Sequence, residues 1–250
     1  MEFDQLILTA NDCYKAGRTI TPIGVFVHST GANNPNISRY VQPVGTSGNH
    51  WNQGGITKCV HGFLGYDAKG EVGFTQTLPW NHRGWHAGGA ANNTHIGFEI
   101  CEDDLSNREY FDQTYQKAAE VVAYLCIEYD FDPLAPNVII NHAEGYQLGV
   151  ASNHADTDHW WGIYGKTMDD FRVAVQEEMK IMKQAEFNQL MAVWQATQNA
   201  LEPSDWSQEA RKWAEDQEII TGSGDAGFQY KRDCTREELV QILWKQRSKD

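Results

Sequence analysis

The spacing of hydrophobic positions changes several times along the chain, and each change predicts an element. Pro22–Thr30 (PIGVFVHST) runs apolar with β-branched and aromatic residues, the pattern of a buried strand ending in His28. Thr57–Tyr66 and Glu71–Leu78 flank the turn signal Asp67–Gly70 and predict a hairpin. Thr94–Cys101 (THIGFEIC) reads as a central strand interrupted by Glu99. Asn107–Asp130 carries apolar or small residues at Phe111, Tyr115, Ala118, Ala119, Val122, Leu125 and Cys126, the spacing of a helix with one face on a sheet. Pro133 and Pro136 stop that helix, and Val138–Ile140 form a short strand that delivers His142.

Between these elements the pattern breaks. Residues 1 to about 20 predict a short helix and turn with Gly17 as the stop. Asn33–Gly55, rich in Asn, Gly and Ser with Trp51 embedded, predicts a long surface loop, and Gly and Asn keep Pro79–Asn93 irregular. Thr167–Met182 is helical, with Phe171, Val175, Met179 and Met182 on one side. Beyond it come a helical linker, a break at Pro203, a helix over Ser204–Gln217 with Trp206, Ala210, Trp213 and Ala214 on one face, and a Gly-rich turn over Ile219–Phe228. A capping box, Thr235-Arg-Glu-Glu238, opens a last helix predicted to bury Leu239, Val240 and Leu243. The expected division is a catalytic part over 1–183, a linker over 184–203 and a helix-loop-helix unit over 204–250. A unit that small has little core of its own, so it is expected to dock or dimerise.

Composition narrows the function. With 250 residues, 41% hydrophobic and 22% charged, the chain has the make-up of a globular protein. Its net charge of −14 and its lack of a basic run argue against nucleic acid as a partner. No apolar run is long enough to insert in a membrane, and the start, MEFDQLILTANDC, carries no secretory signal. Synthesis in the cytoplasm is therefore expected, with release by some other route if the site of action is outside. The five cysteines lack CxxC spacing and read as mostly reduced, buried side chains.

The chemistry concentrates in Asn141–Trp161 (NHAEGYQLGVASNHADTDHWW), which gathers three histidines with aspartates and a glutamate. Two apolar strands each end in histidine, His28 and His142. Two such histidines and a downstream carboxylate could supply the three protein ligands of a catalytic zinc, with Glu99 to shuttle protons. A carboxylate inside a strand is costly to bury unless it is paired or used. The spacing differs from HExxH, so the site is not helix-borne. Trp85-His86-Ala87-Gly88 sets a ring donor beside a flat aromatic surface suited to sugar or peptide, whereas His61, inside a predicted strand, is at least as well explained by a structural hydrogen bond. All nine histidines lie between His28 and His159, which assigns the chemistry to the first part of the chain.

The ordered motifs VHST, VHGFLG, WHAG, HIGFEI and NHAEG resemble those of the zinc-dependent N-acetylmuramoyl-L-alanine amidases of the type 2 amidase and peptidoglycan-recognition-protein superfamily, over roughly residues 20–180. The resemblance implies an α/β fold with a mixed central β-sheet flanked by helices, here followed by a small C-terminal helical unit. It implies cleavage of the amide between N-acetylmuramic acid and the L-alanine of the peptidoglycan stem peptide, with zinc as cofactor and bacterial peptidoglycan as partner. His28 and His142 take the positions of two zinc ligands, Glu99 that of the acid/base residue, and Trp85 and His86 with Trp51 that of the substrate side. The family's Cys or Asp eight to ten residues after the second histidine is missing, since Val150–Ser152 stand there. Asp156 is the preferred third ligand because His154, two residues earlier, then becomes the donor to the developing oxyanion; choosing Asp158 would put the anion Asp156 there. Asp158 and His159 remain the alternatives. The C-terminal run WSQEARKWAEDQEIITG, GF, TREELVQIL is similar to one S-layer homology repeat, which implies wall anchoring, with homodimerisation through the C-terminal helices as the other reading. A phage or prophage endolysin, bacteriolytic after release, is the expected role; a non-catalytic peptidoglycan binder and a cytoplasmic muropeptide-recycling amidase are its rivals.

Overall fold

Alternation of side chains along two central strands decides where the rest of the chain goes. In the computed structural model, which describes residues 3–31, 41–44, 50–67, 69–220, 222 and 227–247, these strands are β2 (Gly24–Ser29) and β5 (His95–Ile100). Successive side chains of a strand point to opposite faces. Accordingly Val25, Val27, Ile96, Phe98 and Ile100 enter the large core, while Phe26 joins a smaller core with Ala87, Ala91 and Ile140. His28 stacks on Phe26 with ring centres 4.4 Å apart, so it shares Phe26's face. The parallel register sets Phe26 beside Gly97 and His28 beside Glu99.

Four more strands complete the sheet: β1 (Asp4–Gln5), β3 (Gly62–Tyr66), β4 (Val72–Gln76) and β6 (Ile139–Ile140). The order is β1-β4-β3-β5-β2-β6; β3 and β4 pair antiparallel as the predicted hairpin, and the other pairs run parallel. This is the expected mixed sheet. The two-residue β1 was not foreseen, because its pairing with β4 is its main signature.

Helix α2 (Arg108–Glu128) covers the face opposite His28. The Asn107 side chain caps it by accepting from the Tyr110 N–H, an interaction of about 1 kcal/mol. All seven residues predicted for its inner face are buried. The short α3 (His142–Gln147) and α4 (Asp158–Trp161) lie on either side of the loop that holds Asp156, and Trp160 and Trp161 from α4 are fully buried in the large core. Helix α5 (Met168–Asn199) buries Phe171 and Val175 against the same core, with Met179 and Met182 partly buried. It continues straight through the predicted linker, because neither Gly nor Pro occurs before Asn199 to end it.

Two compact units result, Met1–Met182 and Lys183–Asp250. The second unit contains α6 (Gln208–Asp216) and α7 (Arg236–Arg247). The capping box forms as expected, with reciprocal bonds between Thr235 and Glu238. The burial predicted behind it does not: Leu239, Val240 and Leu243 are 51%, 64% and 56% exposed, and Trp206 is 88% exposed. Among the described residues only Ala214 and Ile219 are buried hydrophobics there, because so short a segment cannot enclose two helix faces. Half of the predicted Gly-rich turn, and part of the predicted Asn33–Gly55 loop, lie outside the described residues.

The cysteine reading needs one correction. Cys13, in the short helix α1 (Asp12–Lys15), is joined to Cys59 by a disulfide with Cα atoms 6.1 Å apart, while Cys101 and Cys126 are free and buried and Cys234 is exposed. A sequence separation of 46 with no CxxC spacing concealed the pairing.

Two adjacent carboxylates fasten α4 to the end of β5. Asp103, fully buried, accepts from Trp160 Nε1 at 2.9 Å and from the Tyr164 hydroxyl at 3.1 Å. Glu102, also fully buried, accepts from the Gly31 N–H and pairs with His159 Nε2 at 2.9 Å. The other ring nitrogen of His159 faces the Ala155 carbonyl at 3.0 Å, so both nitrogens meet acceptors and the ring holds two protons. The Glu102 bond, working against partial burial, raises the His159 pKa to about 9. A folded-state pKa above the unfolded value contributes stability that is complete below about pH 6.5 and lost as pH rises through about 9. With allowance for the ring's partial exposure, the contribution is about 2 kcal/mol. Denaturant unfolding of His159→Gln against the parent chain should therefore show that deficit at pH 6 and a much smaller one at pH 10. A deficit independent of pH would rule out the ion pair as its source.

Candidate active site

The face of the sheet that carries His28 opens into a pocket of about 590 Å³ lined by, among others, His28, Glu99, His142, His154 and Asp156. Its chemistry starts from the β2–β5 register, which puts the His28 and Glu99 side chains side by side on one face. His142 arrives as the first residue of α3, whose N-cap Asn141 accepts from the Glu144 N–H and donates to Asp158 Oδ1 at 2.6 Å. That second bond ties the two ends of the 141–158 stretch together and brings Asp156 back over His28.

Donor atoms of His28, His142 and Asp156 lie within 4.8 Å of one another, and this group could hold a metal ion. His28 Nδ1 is 3.3 Å from Asp156 Oδ2. His28 Nε2 is 2.8 Å from His86 Nδ1, and His142 Nδ1 donates to the Ser152 carbonyl at 2.8 Å, which leaves His142 Nε2 with a lone pair for the centre. Burial and then the charge of His28 lower the His142 pKa to about 4, keeping it neutral as a ligand must be. For Asp156, burial acts upward but the His28 hydrogen bond and nearby charge outweigh it, and the carboxyl falls below its ordinary value.

Glu99 behaves in the opposite sense. Its Oε2 is buried with no hydrogen-bond partner, although the residue is partly open to the pocket. Burial, then the Asp156 and Glu102 carboxylates, raise its pKa well above the ordinary carboxylate value. A carboxyl so placed holds its proton more tightly than an exposed one, the kind of perturbation found at proton-transfer groups.

His86 packs edge-on against His28, with ring centres 5.0 Å apart, and lines the pocket beside Trp85. A Cβ built on Gly97 would lie 2.4 Å from the His86 ring, and one on Gly84 would lie 2.7 Å from it, so two glycines make its slot. Burial, then the charges of His28 and His61, hold its pKa well below 6.5. His61 has the structural role open to it in the sequence: fully buried, it accepts from the Gly97 N–H and donates to the His82 carbonyl.

The remaining predicted residues fall in different places. His154 is exposed at the pocket, its ring 4.6 Å from that of His142 and its Nδ1 3.2 Å from Ser152 Oγ. Trp85 and Trp51 both line the pocket, Trp85 at 45% exposed and Trp51 edge-on to Phe63. Asp158 is bonded to Asn141 and does not line the pocket, whereas His159 lines it with both nitrogens engaged. Two contributors were missed: the Ser152 carbonyl, which has no side-chain signal, and Lys58, an exposed pocket cation indistinguishable in sequence from any loop lysine.

Residues 18–159 match the Amidase_2 family, N-acetylmuramoyl-L-alanine amidase. In fold, the chain is similar to the hydrolase AmiA of Staphylococcus aureus, solved with its ligand, at 17% identity and a TM-score of 0.55 over 74% of this chain and 86% of that one. It is also similar to PlyL, at 18% identity and a TM-score of 0.52 over 70% of this chain and 97% of that one. No curated protein matches the chain. The family match spans more than half of the sequence and contains the whole pocket cluster, so the chain belongs to the type 2 N-acetylmuramoyl-L-alanine amidases, enzymes that act on peptidoglycan.

Proposed function

We propose that the chain is a zinc-dependent amidase that hydrolyses the bond between the lactyl group of N-acetylmuramic acid and the L-alanine of the stem peptide, and that it serves as a phage or prophage endolysin. The observation that carries the catalytic part is the grouping of His28, His142 and Asp156 donor atoms beside the unpartnered, buried Glu99 oxygen. Two neutral imidazole nitrogens and one carboxylate oxygen suit zinc, and a three-ligand set leaves a coordination position open. Zinc held there supplies Lewis acidity and a water acidic enough to react near neutral pH.

The chain's own groups do the rest. Glu99 takes the proton from the attacking water and passes it to the departing L-alanine nitrogen. His154, at the rim two residues before Asp156, donates to the oxyanion that develops on the lactyl oxygen. His86 and the Ser152 carbonyl hold His28 and His142 in the tautomers that face the centre. Trp85 and Trp51 offer flat apolar surface to the saccharide and peptide.

For the second unit we propose wall anchoring. Its support is the set of exposed aromatics, Trp206, Trp213 and Trp244, together with a groove of about 430 Å³ in which Phe228 and Tyr230 stack at 5.4 Å, surfaces suited to sugar rings. This reading, with the amidase unit, supports a lytic enzyme over a recycling one.

Elemental analysis should give one zinc per chain, falling to near zero in His28→Ala and His142→Ala and at least tenfold weaker in affinity for Asp156→Asn; full zinc in all three would rule out this centre. Glu99→Gln should keep its zinc yet release free amino groups from purified peptidoglycan about 10²- to 10⁴-fold more slowly, with no new reducing ends from either protein. Undiminished release would remove Glu99 from the scheme. Truncation after residue 203 should abolish co-sedimentation with cell walls without changing the number of chains per particle. A fall from dimer to monomer with wall binding intact would assign the unit to dimerisation instead.

A further inference from the structure

The two sides of the pocket are held by different means. On one side, β2 is buried along its whole length, and its pairing with β5 sets His28 beside Glu99. On the other, Trp51 and Lys58 line the pocket from the two ends of the stretch 51–58, which belongs to no helix or strand and none of whose residues is buried. That stretch rests on α1. Asn11, fully buried, caps α1 by accepting from the Cys13 N–H, and its Nδ2 donates to the carbonyls of both Trp51 and Lys58 at 3.0 Å. Around it the Ala10 N–H donates to Asn52 Oδ1, the Asp12 N–H to the Ile56 carbonyl, and the Gly55 N–H to Asp12 Oδ2.

By itself α1 is a weak support. Its four residues are too few to be helical alone, and none of them is buried. Its bonds to 51–58 are hydrogen bonds, several of them at exposed residues where water competes, and a segment with few buried contacts opens locally at low cost. The disulfide from Cys13 to Cys59 is what ties α1 covalently to the sheet: Cys59 follows Lys58 directly, is 2% exposed, and exchanges reciprocal backbone bonds with the pocket residue Trp85. Cys13 is only half-buried, so its sulfur is the one that an external thiolate reaches. Attack there forms a mixed disulfide and releases Cys59 as a thiolate, which takes up a proton. A second external thiol then displaces Cys13, so two external thiols are oxidised to one disulfide as the protein pair is reduced, and a disulfide compound reverses the exchange.

We propose that Cys13 and Cys59 form a redox latch on the substrate wall of the pocket. Oxidised, the pair pins α1 and, through Asn11, keeps Trp51 and Lys58 in place. Reduced, it lets that wall loosen, while His28, Glu99, His142 and Asp156, held by the β2–β5 pairing and by the Asn141 bond to Asp158, stay where they are. This rests on the amidase reading for what the wall grips, and adds to it a dependence of substrate affinity on the thiol–disulfide balance of the surroundings.

Hydrogen exchange reads the latch without any substrate. The full chain is compared before and after reduction by a water-soluble phosphine, which takes oxygen from water to become its oxide. Thiols titrated in the denatured chain should rise from three to five. Amides of 10–16 and 51–58 should exchange about tenfold faster after reduction, and those of 24–29 and 95–100 at an unchanged rate. A soluble muropeptide titrated into the Glu99→Gln chain should bind about five- to tenfold more weakly once the pair is reduced, with the zinc content unaltered, because the wall is no longer preorganised. The chain carrying Cys13→Ser and Cys59→Ser should match the reduced form with or without phosphine. Five thiols in the untreated chain, faster exchange across the whole sheet, or exchange and affinity indifferent to reduction would overturn the latch. Redox-dependent exchange at 51–58 in a chain that hydrolyses no peptidoglycan would strike the amidase reading and leave the latch standing.

Discussion

The parallel pairing of β2 with β5 is the constraint on which the remainder of the first unit depends. Because side chains alternate, one register choice sends Val25, Val27, Ile96, Phe98 and Ile100 toward α2 and leaves Phe26, His28, Gly97 and Glu99 on the other face. A slip of one residue would exchange the two sets, putting a histidine and a carboxylate under α2 and valines in the pocket. The large apolar core therefore does more than stabilise the sheet: by fixing the register, it aligns Glu99 with His28 on the pocket face. The 141–158 stretch is then closed over this pair through Asn141, and Glu102 and Asp103 fasten its far end to the strand that carries Glu99.

What the sequence disclosed and what it hid divide along a physical line. Features written in local periodicity were legible: the buried β2, the inner face of α2, the capping box at Thr235, and histidines at the ends of apolar runs. Ordered motifs made the family legible as well. Features created by contacts between distant segments were not. The Cys13–Cys59 pairing, the His86–His28 contact, the Glu102–His159 pair and the hold of the Ser152 carbonyl on His142 each join residues whose neighbours in sequence give no hint of the partner. Asp156 fell between these cases. A charge argument favoured it over Asp158, and the fold brings its carboxylate within reach of His28 and His142 while Asp158 bonds Asn141.

The second unit shows how a correct local pattern can lead to a wrong burial. Leu239, Val240 and Leu243 have helical spacing and do lie on a helix, yet they face solvent because the described part of that unit offers too little apolar surface to cover them. Amphipathic spacing identifies a helix; burial needs a partner face, which a segment of this length does not supply by itself.

The slot around His86 bears on how freely this site can vary. Gly84 and Gly97 are not among the residues that line the pocket and carry no side-chain chemistry, yet a single added methyl at either would press on the imidazole that contacts His28. Tolerance to substitution at the centre is thus governed from outside it: replacements around the pocket mouth leave this contact untouched, whereas the smallest change at either glycine would tilt the first donor. In a lineage drifting in sequence, these two positions would act as silent anchors, making geometry heritable where side-chain chemistry is absent.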